Sequence, residues 1–363
     1  MSSPLCVDIA IVNYFSAVDV GRCLERLGAW THGTVWLIDN SSDAAEMEQL
    51  RQLAAERPWV RLIDAAGNLG FGRACNLAFQ QSSAPFFLLL NPDAQASPGD
   101  LLMLAQSLHD DPRLAAVSPM VFWNEARTFI LPAAAAQTPF TALTHSLASR
   151  SHALALWMAQ RCLREQRQRM ASSAPFEVGF LAGAVMMLRR QAVLAAGGLF
   201  DPDYFMFFED SDLSLRLRRS GWRLAMLPRA TAVHEYRHKQ FKAAMMSTSR
   251  DRYYSKRYPW FHRISGALSR MDRLAKPVPV QRWFEQLARP CGTADDFNKQ
   301  TGQAGVIAFS PSMLMTPAIF RPQGEPARPF AAAEWELLEP GGYVALVEDR
   351  SGTQHWIHFV RTG

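Results

Sequence analysis

Over the first hundred residues, hydrophobic positions fall in short unbroken runs separated by amphipathic stretches. Residues 7–12 read as a buried strand and 18–27 as an amphipathic helix. Residues 34–38 are a second strand, 44–55 a second helix and 60–63 a third strand. Helical spacing returns over 71–80, and 85–90 is a strand of almost unbroken apolar character. Short buried runs alternating with helices predict βαβ units, hence an α/β fold built on a mostly parallel sheet flanked by helices. In such sheets ligands sit beyond the carboxyl ends of the strands. The polar residues at those ends are Asn13 and Tyr14, Asp39-Asn40-Ser41-Ser42, Gly67-Asn68 and Asn91-Pro92-Asp93.

Each of these groups has a structural alternative. Asp39 and the residues after it are also good caps for the helix that follows. The glycines of Gly67-Asn68-Leu69-Gly70-Phe71-Gly72 are spaced G-x-x-G-x-G, not G-x-G-x-x-G, and Asn91 stands about where a dinucleotide site needs its acid. A Rossmann oxidoreductase is therefore disfavoured. What remains is close backbone approach to a phosphate at Gly70, with Asn68 beside it and Arg73 adding charge. Asp93 serves either as a turn residue or as a carboxylate holding a divalent ion on a diphosphate.

Farther along, Phe205-Met206-Phe207-Phe208 runs directly into Glu209, Asp210 and Asp212. Carboxylates packed against aromatics have raised pKa values, which suits a general base. Acids in a first helical turn are equally well explained as dipole complements. Asp212 also stands four residues before Arg216, the spacing of a helical ion pair. His234 ends a predicted strand over 230–233, and it is either a hydrogen-bonded structural histidine or a ligand. His238 follows it by four, but an H-x-x-x-H pair alone makes no zinc site. A glycosidase needs two carboxylates facing across a bond, whereas Glu209 and Asp210 are chain neighbours that diverge.

Composition narrows the class. A hydrophobic content of 48% with 20% charged residues describes a globular chain. The net charge of +5 fits anionic ligands or an anionic surface and is too small to argue for nucleic acid. Cys6, Cys23, Cys75, Cys162 and Cys291 contain no CxxC pair, which disfavours zinc and disulfides and favours a reducing cytoplasm. With no secretory leader and no apolar run of about 20 residues, a cytoplasmic protein, soluble or peripheral at the inner face of the membrane, is expected.

The rest of the chain is more varied. Residues 143–170 are alanine-rich and helical and end in a basic run, either a solvated face or a membrane-surface or acceptor-side element. Residues 250–263 mix arginines with tyrosines and Trp260. That composition suits an anionic headgroup zone, with oligomer packing as the other reading. Residues 261–274 read as helical and Pro277-Val278-Pro279 as a linker. Short strands are expected at 306–309, 313–320, 334–338, 343–347 and 356–360, giving a small β-rich appendage.

Several blocks occur in a fixed order: Ile11-Val12-Asn13-Tyr14, Ile38-Asp39-Asn40-Ser41-Ser42, Asn68 to Asn76, and Leu90-Asn91-Pro92-Asp93-Ala94. They continue with Leu181-Ala182-Gly183-Ala184, Gly197 to Asp201, Phe207 to Leu217, Gly221-Trp222 and Val233-His234. Together these resemble the family 2 glycosyltransferases, most closely the rhamnosyltransferase-like branch, over roughly residues 6–260. The resemblance implies a GT-A fold and inverting transfer of one sugar, rhamnose or a relative, from a dTDP- or UDP-sugar. The acceptor would be a hydroxyl of a glycan or lipid-linked molecule in surface polysaccharide synthesis.

Residue by residue, it assigns Asp39 to the uracil or thymine ring and Asn13, Tyr14, Asn68, Gly70, Arg73 and Asn91 to the donor nucleotide. Asp93 matches the last acid of the metal-binding D-x-D motif, whose first acid is Asn91 here. His234 would join Asp93 in holding Mg²⁺ or Mn²⁺. Asp210 matches the catalytic base, Glu209 orients it, and Asp212 and Trp222 fall on the acceptor side. Arg218-Arg219-Ser220-Gly221-Trp222 replaces the Q-x-x-R-W of processive members. The expected organisation is a GT-A domain over 1–275 with a helical insertion near 132–175, a linker over 276–300 and the β-rich unit over 301–363. The alternative function is a non-catalytic nucleotide-sugar or glycan-binding protein on the same fold.

Overall fold

The computed structural model describes residues 5–133, 135–235, 242–272, 283–312 and 314–363, without the side chains of 242–244 and 266–272. The chain opens with β1 (Val7–Asn13), α1 (Ala17–Leu27), β2 (Val35–Asp39), α2 (Ala44–Ala55), β3 (Val60–Asp64), α3 (Phe71–Gln81) and β4 (Phe86–Leu90). It continues through β5 (Ala94–Ala96), α4 (Pro98–Asp110), β6 (Leu114–Phe122), α5 (Pro139–Ala148), α6 (His152–Ala171), β7 (Phe176–Glu177) and β8 (Val185–Arg189). Then come α7 (Arg190–Ala195), α8 (Glu209–Arg219), β9 (Arg223–His234), α9 (Lys242–Arg257) and α10 (Pro259–Asp272). The last elements are β10 (Glu285–Gln286), α11 (Ala294–Gln300), β11 (Gly305–Ser310), β12 (Ile319–Phe320), α12 (Ala332–Trp335), β13 (Gly341–Glu348) and β14 (Gln354–Arg361).

Two compact units emerge. The first comprises residues 1–120, 173–234 and 242–256, and the second 121–172, 235–241 and 257–363. The first is built on a nine-stranded sheet ordered β3-β2-β1-β4-β8-β6-β9-β5, with β7 beside β9. Its first four strands are parallel, and β8 joins β4 antiparallel. All of β1 and β4 is buried, as expected of central strands covered on both faces. Asn13, Asp39, Asp64 and Leu90 end the four parallel strands, so the chain segments that follow them gather along one edge.

The second unit carries a five-stranded sheet, β10-β14-β13-β11-β12. Trp123, Phe129, Phe297, Phe309, Phe330, Trp335 and Phe359 form its core. The division differs from the linear expectation: residues 121–172 cluster with the C-terminal sheet, and α11 contributes buried Phe297 ahead of residue 301. Three local expectations change. The helical stretch 143–170 is two helices, because Ser151 caps α6 through Leu154 N (3.4 Å). Residues 334–338 are not a strand: Glu334 closes a helical turn by accepting from Ala331 N (3.0 Å). Within 314–320 only Ile319–Phe320 pairs, as Pro317 has no amide to donate to a ladder. His238, residues 277–279 and Met313 lie outside the described residues.

Candidate active site

Asp39 ends β2, and its environment separates the two readings of the 39–42 segment. The cap of α2 is Asp43, which accepts from Ala45 N and Glu46 N at 2.9 Å each. Asp39 is therefore free of capping. Its Oδ1 accepts from Asn13 Nδ2 (3.0 Å), Ser41 N (3.1 Å) and Ser41 Oγ (2.8 Å). Its Oδ2 is buried without a hydrogen-bond partner. A buried acceptor in that condition costs free energy unless a ligand satisfies it. Asn13 is fully buried and fully used: Nδ2 also donates to Glu46 Oε2 (3.0 Å), while Oδ1 receives Ser16 N and Ser16 Oγ. Its side chain thereby positions Asp39. Tyr14, by contrast, is half exposed beside it.

The loop before α3 is fixed from both sides. Asn68 Oδ1 accepts from Asn40 Nδ2 (3.1 Å) and Gly70 N (3.0 Å). Gly70 has φ +80°, and a β-carbon there would lie 2.0 Å from Phe205 O. Only glycine lets this loop meet the 205–208 segment so closely. Its role here is thus packing against that segment. Arg73 is exposed and donates Nε to Pro202 O at 2.7 Å.

The carboxylate stretch follows. Phe207 and Phe208 both hold positive φ, 68° and 66°. Consecutive left-handed phenylalanines are strained, and strain of this kind collects at functional sites. The turn delivers Glu209 and Asp210 to the start of α8. Glu209 is buried, its β-carbon lies close to Gly72, and its Oε2 has no partner. Burial, then the neighbouring Asp210, pushes its pKa up to about 8. Asp210 keeps part of its surface open. It accepts from Ser211 N (2.7 Å) and Gly183 N (3.3 Å). Desolvation outweighs these amides and raises its pKa to about 6. At neutral pH the pair is one protonated and one ionised carboxyl, a separation typical of acid/base sites.

Gly183 links this pair to the next loop, since Ala184 O accepts Asn91 N (2.8 Å). Asn91 O in turn receives Ala94 N (3.0 Å), folding the chain so that half-exposed Asp93 precedes β5. β5 pairs with β9 with Ala94 opposite His234, which brings His234 Nε2 to 3.2 Å from Asp93 Oδ1. Adjacent ligands about 2.1–2.2 Å from an octahedral ion stand about 3 Å apart. An oxygen and an imidazole nitrogen at this spacing therefore fit one divalent cation. Among the described residues no cluster of three His, Cys, Asp or Glu side chains that could hold a metal ion is present.

Asp212 and Trp222, expected on the acceptor side, lie within α8 and beyond its far end. The Asp212 side chain is wholly buried, taking Arg216 Nε at 2.8 Å. Arg216 donates onward to Ala196 O and Gly198 O, so this pair locks α8 to the preceding loop. Trp222 follows the far end of α8, whose last residue, Arg219, lies about 13.5 Å along the axis from Asp210 at a rise of about 1.5 Å per residue.

Part of the 250–263 segment turns inward with α9. Tyr253 and Tyr254 are buried, and the Tyr253 ring lies 5.5 Å from that of Phe208. Ser249 Oγ donates to Met206 O (2.7 Å), Arg252 donates to Asp203 O, and Lys256 bridges Asp201 and Asp203. Ser249, Arg252, Tyr253 and Lys256 buttress the strained turn and the residues before it, while Arg250, Trp260 and Arg263 of the same segment are exposed. Sequence reasoning missed these supports and the Gly183 amide. The prior signals were the mixture of charge and aromatics and the Leu181-Ala182-Gly183-Ala184 block.

Carboxylates gathered beyond the strand ends of an α/β sheet form the candidate active site. The model for the family "Glycosyltransferase like family 2" matches residues 4–253, more than half of the chain, and the chain belongs to that family. It is 29% identical over 246 residues to N-acetylglucosaminyl-diphospho-decaprenol L-rhamnosyltransferase of Mycobacterium tuberculosis, covering 63% of this chain and 76% of that protein. Rhamnosyltransferase WbbL of Escherichia coli K12 is 26% identical over 243 residues, 64% and 84% of the two chains. Among solved structures, GalNAc-T7 with UDP, GalNAc and Mn²⁺ superimposes with a TM-score of 0.48 at 14% identity, over 65% of this chain and 45% of that one.

Proposed function

We propose that the chain is an inverting, metal-dependent transferase that moves one sugar, rhamnose or a close relative, from a dTDP- or UDP-sugar. The acceptor is a hydroxyl of a glycan or lipid-linked molecule in surface polysaccharide synthesis. The observation that carries this reading is Asp210: a partly open carboxylate with a raised pKa, hydrogen-bonded to Gly183, next to the residue that receives the Asn91 amide. Ionised Asp210 takes the proton of the acceptor hydroxyl as its oxygen bonds to the anomeric carbon. The bond from that carbon to the diphosphate oxygen breaks on the opposite face, and the diphosphate leaves with the electron pair. Buried Glu209, protonated, fixes the local field and the start of α8.

Asp93 and His234 would hold Mg²⁺ or Mn²⁺, which when bound neutralises charge on the diphosphate. The unpartnered Oδ2 of Asp39 is an acceptor for the ring N–H of uracil or thymine. The rhamnosyl donor is supported by the names of both relatives, and the lipid-linked acceptor by that of the first. Thermal melting with dTDP, UDP, GDP or CDP, each with Mn²⁺ or EDTA, tests the reading, since a native-state ligand raises the melting point. A Mn²⁺-dependent shift with dTDP or UDP, lost in Asp93→Ala, is expected. No shift with any nucleotide would overturn it.

A further inference from the structure

Between Glu125 and Glu165 the chain carries no acidic residue, and α5 with most of α6 lies inside that stretch. Over residues 139–171 five arginines (150, 161, 164, 167 and 169) stand against one glutamate, so most of the chain's net +5 is concentrated here. The apolar residues of α5 do not all turn inward. Phe140 is 75% exposed, Leu143 46% and Leu147 48%. At spacings of three and four residues they form one stripe along the helix. On α6, Ala155, Ala159, Leu163 and Met170 are buried, whereas Trp157 is 55% exposed. The Arg161 guanidinium lies 5.4 Å from the Trp157 ring centre, with exposed Arg164 one turn further on.

We propose that the α5–α6 hairpin docks on the face of an anionic lipid bilayer. Phe140, Leu143, Leu147 and Trp157 enter the boundary between headgroups and acyl chains, and Arg150, Arg161 and Arg164 meet lipid phosphates. Although α6 has 20 residues, three arginines and a glutamate occupy its second half. No helix among the described residues is apolar enough to cross a membrane, so the hairpin lies on the surface. Pairing of two copies through this face is disfavoured, because a two-fold interface would set one arginine-rich, almost acid-free patch against its twin. The inference does not depend on the transferase reading.

The test is co-sedimentation of the full chain with vesicles of phosphatidylcholine alone or containing phosphatidylglycerol. Wild type is expected to bind the anionic vesicles, weakly the neutral ones, and to be released by high salt. Phe140→Ser/Leu143→Ser/Leu147→Ser and, separately, Arg161→Gln/Arg164→Gln should each lower partitioning by about tenfold or more. Both sets of residues are exposed, so an unchanged thermal melt confirms folding. Equal sedimentation of wild type and variants, or no binding to anionic vesicles, overturns the proposal. So does a dimer in gel filtration that the apolar variant dissolves.

Discussion

Gly183 donates its backbone amide to the Asp210 carboxylate at 3.3 Å, two residues before the chain enters β8. A flexible loop terminus would leave the carboxylate mobile, whereas this contact ties it to the central sheet. Asp210→Asn keeps an acceptor for that amide and removes the basic oxygen. Sugar transfer should fall by about 10²–10⁴-fold, the range a positioned general base supplies. Nucleotide diphosphate affinity should stay within about twofold of wild type, read by calorimetry. The pH profile adds a second readout. The base works only when ionised, so the rate should rise with pH through about 6 and be lost below it.

Glu209 predicts an effect on stability. Its folded pKa of about 8 is raised above that of the unfolded chain, so the native state holds the proton more tightly. Its contribution is then fully present below the unfolded value, near 4.3, and lost as pH rises through 8. The melting temperature should decline over that window. Glu209→Gln cannot ionise and should be more stable than wild type at pH 8.5, by about 1–3 kcal/mol, and close to it at pH 5. Urea denaturation at the two pH values checks this. Parallel decline of both proteins would remove Glu209 as the cause.

For Asp39, the asymmetry between its two oxygens gives a selective variant. Asp39→Asn retains a carbonyl oxygen for Asn13 and Ser41 and turns the unpartnered acceptor into a donor. Affinity for uridine and thymidine diphosphates should drop by about tenfold or more, since a hydrogen bond to a charged acceptor contributes roughly 1.5–3 kcal/mol. The melting point without ligand should hardly move. Titration of the four nucleoside diphosphates distinguishes this outcome from general damage.

Much of the first unit is legible in sequence because strands covered on both faces appear as unbroken apolar runs, as 7–12 and 85–90 do. Strand ends are therefore readable, and with them the positions of Asp39 and Asp93, while the Glu209–Asp210 pair is legible as the acidic start of a helix. Three relations were not readable, because they are set by contacts distant in the chain. Asp43 rather than Asp39 caps α2, a choice between chemically equivalent residues four positions apart. Residues 121–172 pack with the chain beyond 257, tied by Ile130 pairing with Phe320. Tyr253 and Tyr254 look like interfacial aromatics by composition, yet they are buried behind Phe208.

That support of the strained turn yields the last prediction. The Ser249 hydroxyl holds Met206 O, and the Tyr253 ring packs on Phe208, while Phe207 and Phe208 sit in left-handed conformations. Such conformations cost about 1–3 kcal/mol each and persist only where surroundings enforce them. Ser249→Ala deletes one restraint of about 1 kcal/mol, so the turn relaxes part of the time and carries Asp210 off line. The rate constant for transfer should fall several-fold, with KM for the donor nearly unchanged, because Asp39 and Asp93 stand on other loops. Phe208→Gly tests the same link from the other side. Glycine removes the left-handed strain, so adding Ser249→Ala to it should cost less activity than in the wild-type background. Equal losses in both backgrounds would show that Ser249 acts on the site by some route other than the turn.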